Sequence, residues 1–110
     1  MKMILSLLLA IFTVSAFSQK ATDNFTGKWK TATEKIVVIT KAGNQFVGMV
    51  EGTNMIILKD LAFDGSKWKG IIQNPKENKS AKCEAVLEEG KLKLIARKGM
   101  FSKTFYWIKN

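Results

Sequence analysis

The chain has 110 residues, with 18 lysines and arginines against nine acids, 46% apolar residues and a single proline. That is one domain's worth of chain, too apolar and too poor in proline for a disordered tail and too short for a multi-domain enzyme. It holds no histidine and one cysteine, which removes the commonest general base, the commonest metal ligand and any internal disulfide or cysteine-cluster site.

The chain opens on a short basic start, Met1-Lys2-Met3, followed by a run that is apolar at 11 of its 14 positions from 4 to 17. Ala16-Phe17-Ser18 then sets small residues at the third and first positions before Gln19. This is the layout of a cleaved secretory signal peptide. A membrane-crossing anchor needs roughly 20 apolar residues, and no cysteine follows the run to carry a lipid. The expected mature chain is residues 19–110, a single domain with 17 cations against nine acids, exported to the periplasm or beyond.

From residue 25 onward the apolar residues recur with period two, and a helical period is absent. Gly43-Asn44, Asp64-Gly65 and Glu89-Gly90 supply the positive φ that tight hairpins need, and Asn74-Pro75 opens a longer turn. The strands predicted between them span 25–31, 34–41, 45–51, 55–63, 67–73, 79–87, 91–98 and 103–109. A two-residue turn at Asp64-Gly65 would set Leu61 opposite Trp68, Ile57 opposite Ile72 and Asp60 opposite Lys69. A two-residue turn at Glu89-Gly90 would set Leu87 opposite Leu92, Ala85 opposite Leu94, Cys83 opposite Ala96 and Glu88 opposite Lys91. Both registers match apolar with apolar and acid with base, and a slip of one residue would break every match. Eight short antiparallel strands hide their edges by closing into an up-and-down barrel, with a two-sheet sandwich as the alternative.

The residues also resemble a known family. Gly27-Lys28-Trp29, the run Ile57-Leu58-Lys59-Asp60-Leu61, Trp68-Lys69-Gly70, Asn74-Pro75 with Lys79 and Cys83, Leu92-Lys93-Leu94, and Phe101-Ser102-Lys103-Thr104 with Trp107 are similar to the bacterial family called domain of unknown function 2147. Nearly all of the mature chain is covered. The resemblance implies a small exported protein with a lipocalin-like (calycin) barrel, in which Trp29 closes one end, and it implies no activity. Asn74, Ala81, Ile95-Ala96 and Lys103 depart from the residues usual there, so no binding detail is carried over.

Candidate chemistry is sparse. The acids sit mostly at turns or on lysine-rich faces rather than in an apolar cleft where one carboxyl could be raised for acid/base work. Ser66, Ser80 and Ser102 have no histidine to activate them, and Cys83, alternating with Ala81, Ala85 and Leu87, reads as core. No glycine-rich phosphate loop, metal site or cofactor motif is present, so no catalytic residue, metal or cofactor is expected. Gly48 and Gly70, inside strands, are expected to let a tightly coiled barrel bend. Lys67 and Lys69 share one face, as do Lys91, Lys93 and Arg97. Trp68 lies on the face opposite Lys67 and Lys69, which argues against stacking of nucleic-acid bases and for a solvated face or an anionic envelope surface.

The aromatics leave two readings of function. In the first, a non-enzymatic exported binding protein takes a small apolar or amphipathic ligand into the barrel. Trp29, Phe46, Trp68 and Trp107 would line it, with Lys59 or Arg97 as polar contacts. In the second, the barrel is filled and the protein is an envelope-associated interaction module. It would use its lysines and the outer hairpin face of Ile36, Val38, Val47 and Met49, since the Gly43-Asn44 hairpin is apolar on both faces. A hydrolase is the least supported reading. Protein recovered from its native host is expected to begin at Gln19 on N-terminal sequencing; intact Met1 on the soluble protein would overturn the signal-peptide assignment.

Overall fold

The alternation of apolar and polar side chains, cut by turns, produces β1 (Gly27–Lys30), β2 (Ile36–Ala42), β3 (Gln45–Val50), β4 (Ile56–Phe63), β5 (Trp68–Asn74), β6 (Lys79–Glu88), β7 (Lys91–Lys98) and β8 (Phe101–Lys109). These come from a computed structural model that describes residues 19–110, where there is no helix. The expected signal segment, residues 1–18, lies outside the described residues. Each strand pairs antiparallel with the next, and β8 returns to β1, so the sheet is a closed barrel rather than a two-sheet sandwich.

The β6–β7 hairpin has the expected register, with Glu88 opposite Lys91, Leu87 opposite Leu92, Ala85 opposite Leu94 and Cys83 opposite Ala96. The β2–β3 hairpin turns on Gly43-Asn44 and puts Val37, Ile39 and Phe46 inside, with Ile36, Val38, Val47 and Met49 outside.

The β4–β5 hairpin corrects the expected register. Phe63, not Leu61, stands opposite Trp68, so the turn holds the four residues 64–67. The cause is local. The Asp64 carboxylate accepts backbone N–H bonds from Ser66 at 2.9 Å and Lys67 at 2.8 Å, and the Asp64 N–H donates to the Lys67 carbonyl at 2.9 Å. Such an Asx turn takes Ser66 and Lys67 out of the ladder. The backbone N–H groups of Lys67 and Ser66, then the Lys69 ammonium at 3.0 Å, hold the Asp64 carboxyl well below the usual carboxylate range.

Further along β4, Asp60 and Leu61 together face the single residue Gly70, a β-bulge in which Asp60 takes a φ of 54°. Aspartate tolerates that left-handed region better than most residues. The extra residue reverses the alternation, so Leu58 rather than Ile57 stands opposite Ile72 and becomes fully buried. A Cβ on Gly70 would lie 2.8 Å from the Lys59 carbonyl oxygen and 3.0 Å from Leu61 Cα, so the bulge requires glycine there. Gly70→Ala is expected to cost about 3 kcal/mol, the upper part of the overpacking range, because the obstacle is backbone. An unchanged denaturant midpoint would show that the bulge can relax.

Candidate functional site

In an up-and-down barrel the loops alternate between two ends. The β2–β3, β4–β5 and β6–β7 turns lie at one end, and the β1–β2, β3–β4, β5–β6 and β7–β8 connections lie at the other.

The first end is plugged. Phe25, Phe46 and Trp68 meet one another edge to face with centroids 5.1–5.4 Å apart, and Phe63 leans on Trp68 at 5.4 Å. Residues 19–26 run beneath them. The Trp68 indole N–H donates to the Lys20 carbonyl at 2.8 Å, and its backbone N–H donates to the Gln19 side-chain oxygen at 2.7 Å. Trp29 is buried beside the plug, its indole N–H donating to the Phe25 carbonyl at 2.9 Å. Both buried indoles thus have their polar atom satisfied. A hollow remains outside the plug, bounded by residues 21–24, Lys41 and the edges of Phe46, Phe63 and Trp68.

The opposite end is open. A mouth of about 270 Å³ has an apolar floor of Ile57, Ile72, Phe105 and Trp107, with Val50 and Met55 at its side. Thr31, Thr33, Lys35, Asn74 and Lys76 form its rim, and no acid lines it. Ile57 is here because β4 slips a second time, against β3: Leu58 stands opposite inward Gly48 and Ile56 opposite outward Met49, so Ile57 is a bulged extra residue between them that faces the mouth.

The structure therefore separates the residues expected to line one pocket. Trp29, Phe46, Trp68 and Trp107 are all buried, but the first three pack at or beside the plugged end and only Trp107 reaches the mouth. Lys59 and Arg97 are corrections. Lys59 stands opposite Ile71, next in the strand to inward-facing Leu58, and Arg97 stands opposite Lys82, next to inward-facing Ala96, so both lie on the outer surface. Ile57, Ile72, Phe105, Lys35 and Lys76 were not singled out. Phe105 could have been, since it alternates with Trp107, but the bulge that presents Ile57 to the mouth has no apolar signature.

The outer wall of β5, β6 and β7 carries a second group. Glu84 faces outward yet is only 6% exposed, with Lys67 Nζ at 3.4 Å and Arg97 Nη1 at 3.7 Å from its Oε1. That oxygen has no hydrogen-bond partner among the described residues. Glu84, Lys69, Lys82 and Arg97 border a shallow groove over Gly70 and Cys83. Charge attraction to Glu84 thus holds Lys67 and Arg97 over the barrel wall, away from the interior.

The hairpin face of Ile36, Val38, Val47 and Met49 is half-buried. Lys28, opposite Val38, reaches Glu51 at 2.6 Å and so carries its aliphatic stem across that face. The large apolar side chains most exposed among the described residues lie elsewhere: Met100 at 101% and Phe101 at 83%, on the β7–β8 hairpin.

The fold and site together define a class: a small, closed, up-and-down antiparallel β-barrel, plugged at one end and open over an apolar floor at the other. No family model, curated protein or solved structure matches the chain. Among the described residues no group of three or more histidines, cysteines, aspartates or glutamates is placed to hold a metal ion.

Cys83 is free and buried, and burial pushes its thiol up to about 11 from an ordinary 9.0, a bond involving the Gly70 backbone opposing the shift. The folded state therefore keeps a proton that the unfolded chain releases first, so this contribution is whole below about pH 9 and is lost as pH rises through 11. Between those limits the parent should lose about 2–3 kcal/mol more stability than Cys83→Ala, measured by denaturant titration. Parallel pH profiles would show that the thiol is reached by water.

Proposed function

We propose that this is an exported, non-enzymatic binding protein that takes a small amphipathic anion at the open mouth of its barrel. The single observation that carries the reading is the composition of that mouth: an apolar floor of Ile57, Ile72, Phe105 and Trp107 beneath Lys35 and Lys76, with no acid in the lining. An apolar body on the floor removes surface from water, and a carboxylate, sulfonate or phosphate head at the rim meets the two ammonium groups. At about 270 Å³ the hollow is just below the roughly 300–1,000 Å³ of drug-sized ligand sites, which suits one end of a small molecule. Export is supported by the basic start, apolar run and small-residue site of residues 1–18. Membership of the domain of unknown function 2147 family, with its lipocalin-like barrel, is supported by the residues quoted for it and by the closed eight-stranded topology.

An anilinonaphthalene sulfonate dye, apolar with one anionic group, is the test ligand. Saturable binding at one site is expected, weakened about tenfold in Lys35→Gln/Lys76→Gln, the effect of roughly 1.4 kcal/mol from two rim charges. Lys41→Gln, at the plugged end, should leave it unchanged. Dye binding that ignores the rim variant, or that is lost in Lys41→Gln, would overturn the mouth as the site.

A further inference from the structure

The last twenty residues, 91–110, contain six cations and no acid; all nine acids of the chain precede Gly90. They form a single hairpin, β7 and β8, held by eight register pairs from Lys91 opposite Ile108 to Lys98 opposite Phe101. Gly99, at a φ of 61°, and Met100 make the two-residue turn at its tip. The hairpin overhangs the barrel. β1 pairs with β8 only at Ile108 and Lys109, leaving 101–107 without a strand neighbour on that side. At the tip Met100 is 101% exposed and Phe101 83% exposed, so nothing in the described residues covers them. Around them stand Arg97, Lys98 and Lys103; Arg97 leans toward Glu84 at 3.7 Å, while Lys98 and Lys103 make no ion pair among the described residues.

We infer that the β7–β8 tip is a membrane-docking device, with Met100 and Phe101 entering the interface of an anionic lipid bilayer while Lys98 and Lys103 meet its headgroups. The parts have the required chemistry: a flexible thioether and an aromatic ring for the acyl boundary, and cations directly behind them for the negative surface. The shape favours the same partner. A convex tip two residues wide offers no groove to a folded protein, whereas a fluid bilayer closes around it. Nucleic acid is less well matched, because a stacking surface interleaves several aromatics with the charges and the tip has one ring. The hairpin also springs from the mouth end, and Phe101, Lys103, Phe105 and Trp107 share one face of β8. Docking would therefore set the open mouth toward the lipid. The inference is independent of the mouth reading, since neither Met100 nor Phe101 lines that hollow.

A polarity-sensitive dye on Met100→Cys reads the tip directly, Cys83 being buried. With the full chain, vesicles of phosphatidylcholine and phosphatidylglycerol should shift the dye to the blue, and pure phosphatidylcholine vesicles should not. In co-sedimentation, Lys98→Gln/Lys103→Gln should weaken binding to the anionic vesicles on the order of thirtyfold. Phe101→Ser should abolish the binding that survives at raised salt, because apolar insertion is unscreened while headgroup attraction fades as the Debye length falls from about 10 Å at 0.1 M to 3 Å at 1 M. A dye that stays unshifted, variants that bind like the parent, or a short single-stranded oligonucleotide that shifts the dye where vesicles do not would each overturn the proposal.

Discussion

Closure depends on β1 pairing along both of its edges, and β1 has only four residues to do so. It pairs with β2 through all four and with β8 through Trp29 opposite Lys109 and Lys30 opposite Ile108. Two pairs are a weak seam, and side chains reinforce it. The Lys109 ammonium lies 4.8 Å over the Trp29 ring and donates to the Thr26 carbonyl at 3.2 Å, while the Asn110 N–H donates to the Lys28 carbonyl at 3.0 Å. Trp29 in turn is tied to Phe25, and Phe25 to the Phe46–Trp68 pair. The first described residues and the last are thus stitched together across the plug, and an unpaired β1 edge, open to other chains, is avoided.

That plug also decides what the interior can do. Four large rings at one end consume the space that eight strands enclose, so the hollow at that end lies outside the rings and the barrel's interior opens only at the far end. The bulge on β4 completes the division. By reversing the alternation at Asp60 it sends Leu58 into the core, which it can do only because Gly70 lets the β4 backbone approach β5, and the second slip against β3 then leaves Ile57 at the mouth.

Charge is divided as unevenly as space. The acids all lie before β7, mostly in the segments between strands, and several pair with cations there: Lys28 with Glu51, Lys69 with Asp64, Lys67 with Glu84. β7 and β8 have no acid of their own, so their cations must borrow from β6, Lys91 from Glu88 and Arg97 from Glu84. The supply ends before the tip, where Lys98 and Lys103 stand beside Met100 and Phe101. A protein that needed only solubility would not place its most exposed apolar side chains there.

The sequence by itself determined the strands, their number, their antiparallel order and the register of the β6–β7 hairpin, because a period of two with turn residues at its breaks leaves one arrangement in which apolar side chains meet. It also determined that Cys83, Trp29, Phe46, Trp68 and Trp107 would be buried. Tertiary structure decided the rest. The β4–β5 register depended on an Asx turn and a bulge, both made of side-chain to backbone bonds and a close approach that no apolar pattern records. Which buried aromatics would plug the barrel and which would floor its mouth depended on where the chain entering β1 crosses the end of the sheet. The alternation put Lys91, Lys93 and Arg97 on one face of β7 and Trp107 inside β8, but β8 begins at Phe101 rather than at the expected 103, and exposure at Phe101, on the inward-facing side, came from how far β8 runs past β1. That overhang is a property of the closed barrel's stagger, and it exists only once distant strands have met.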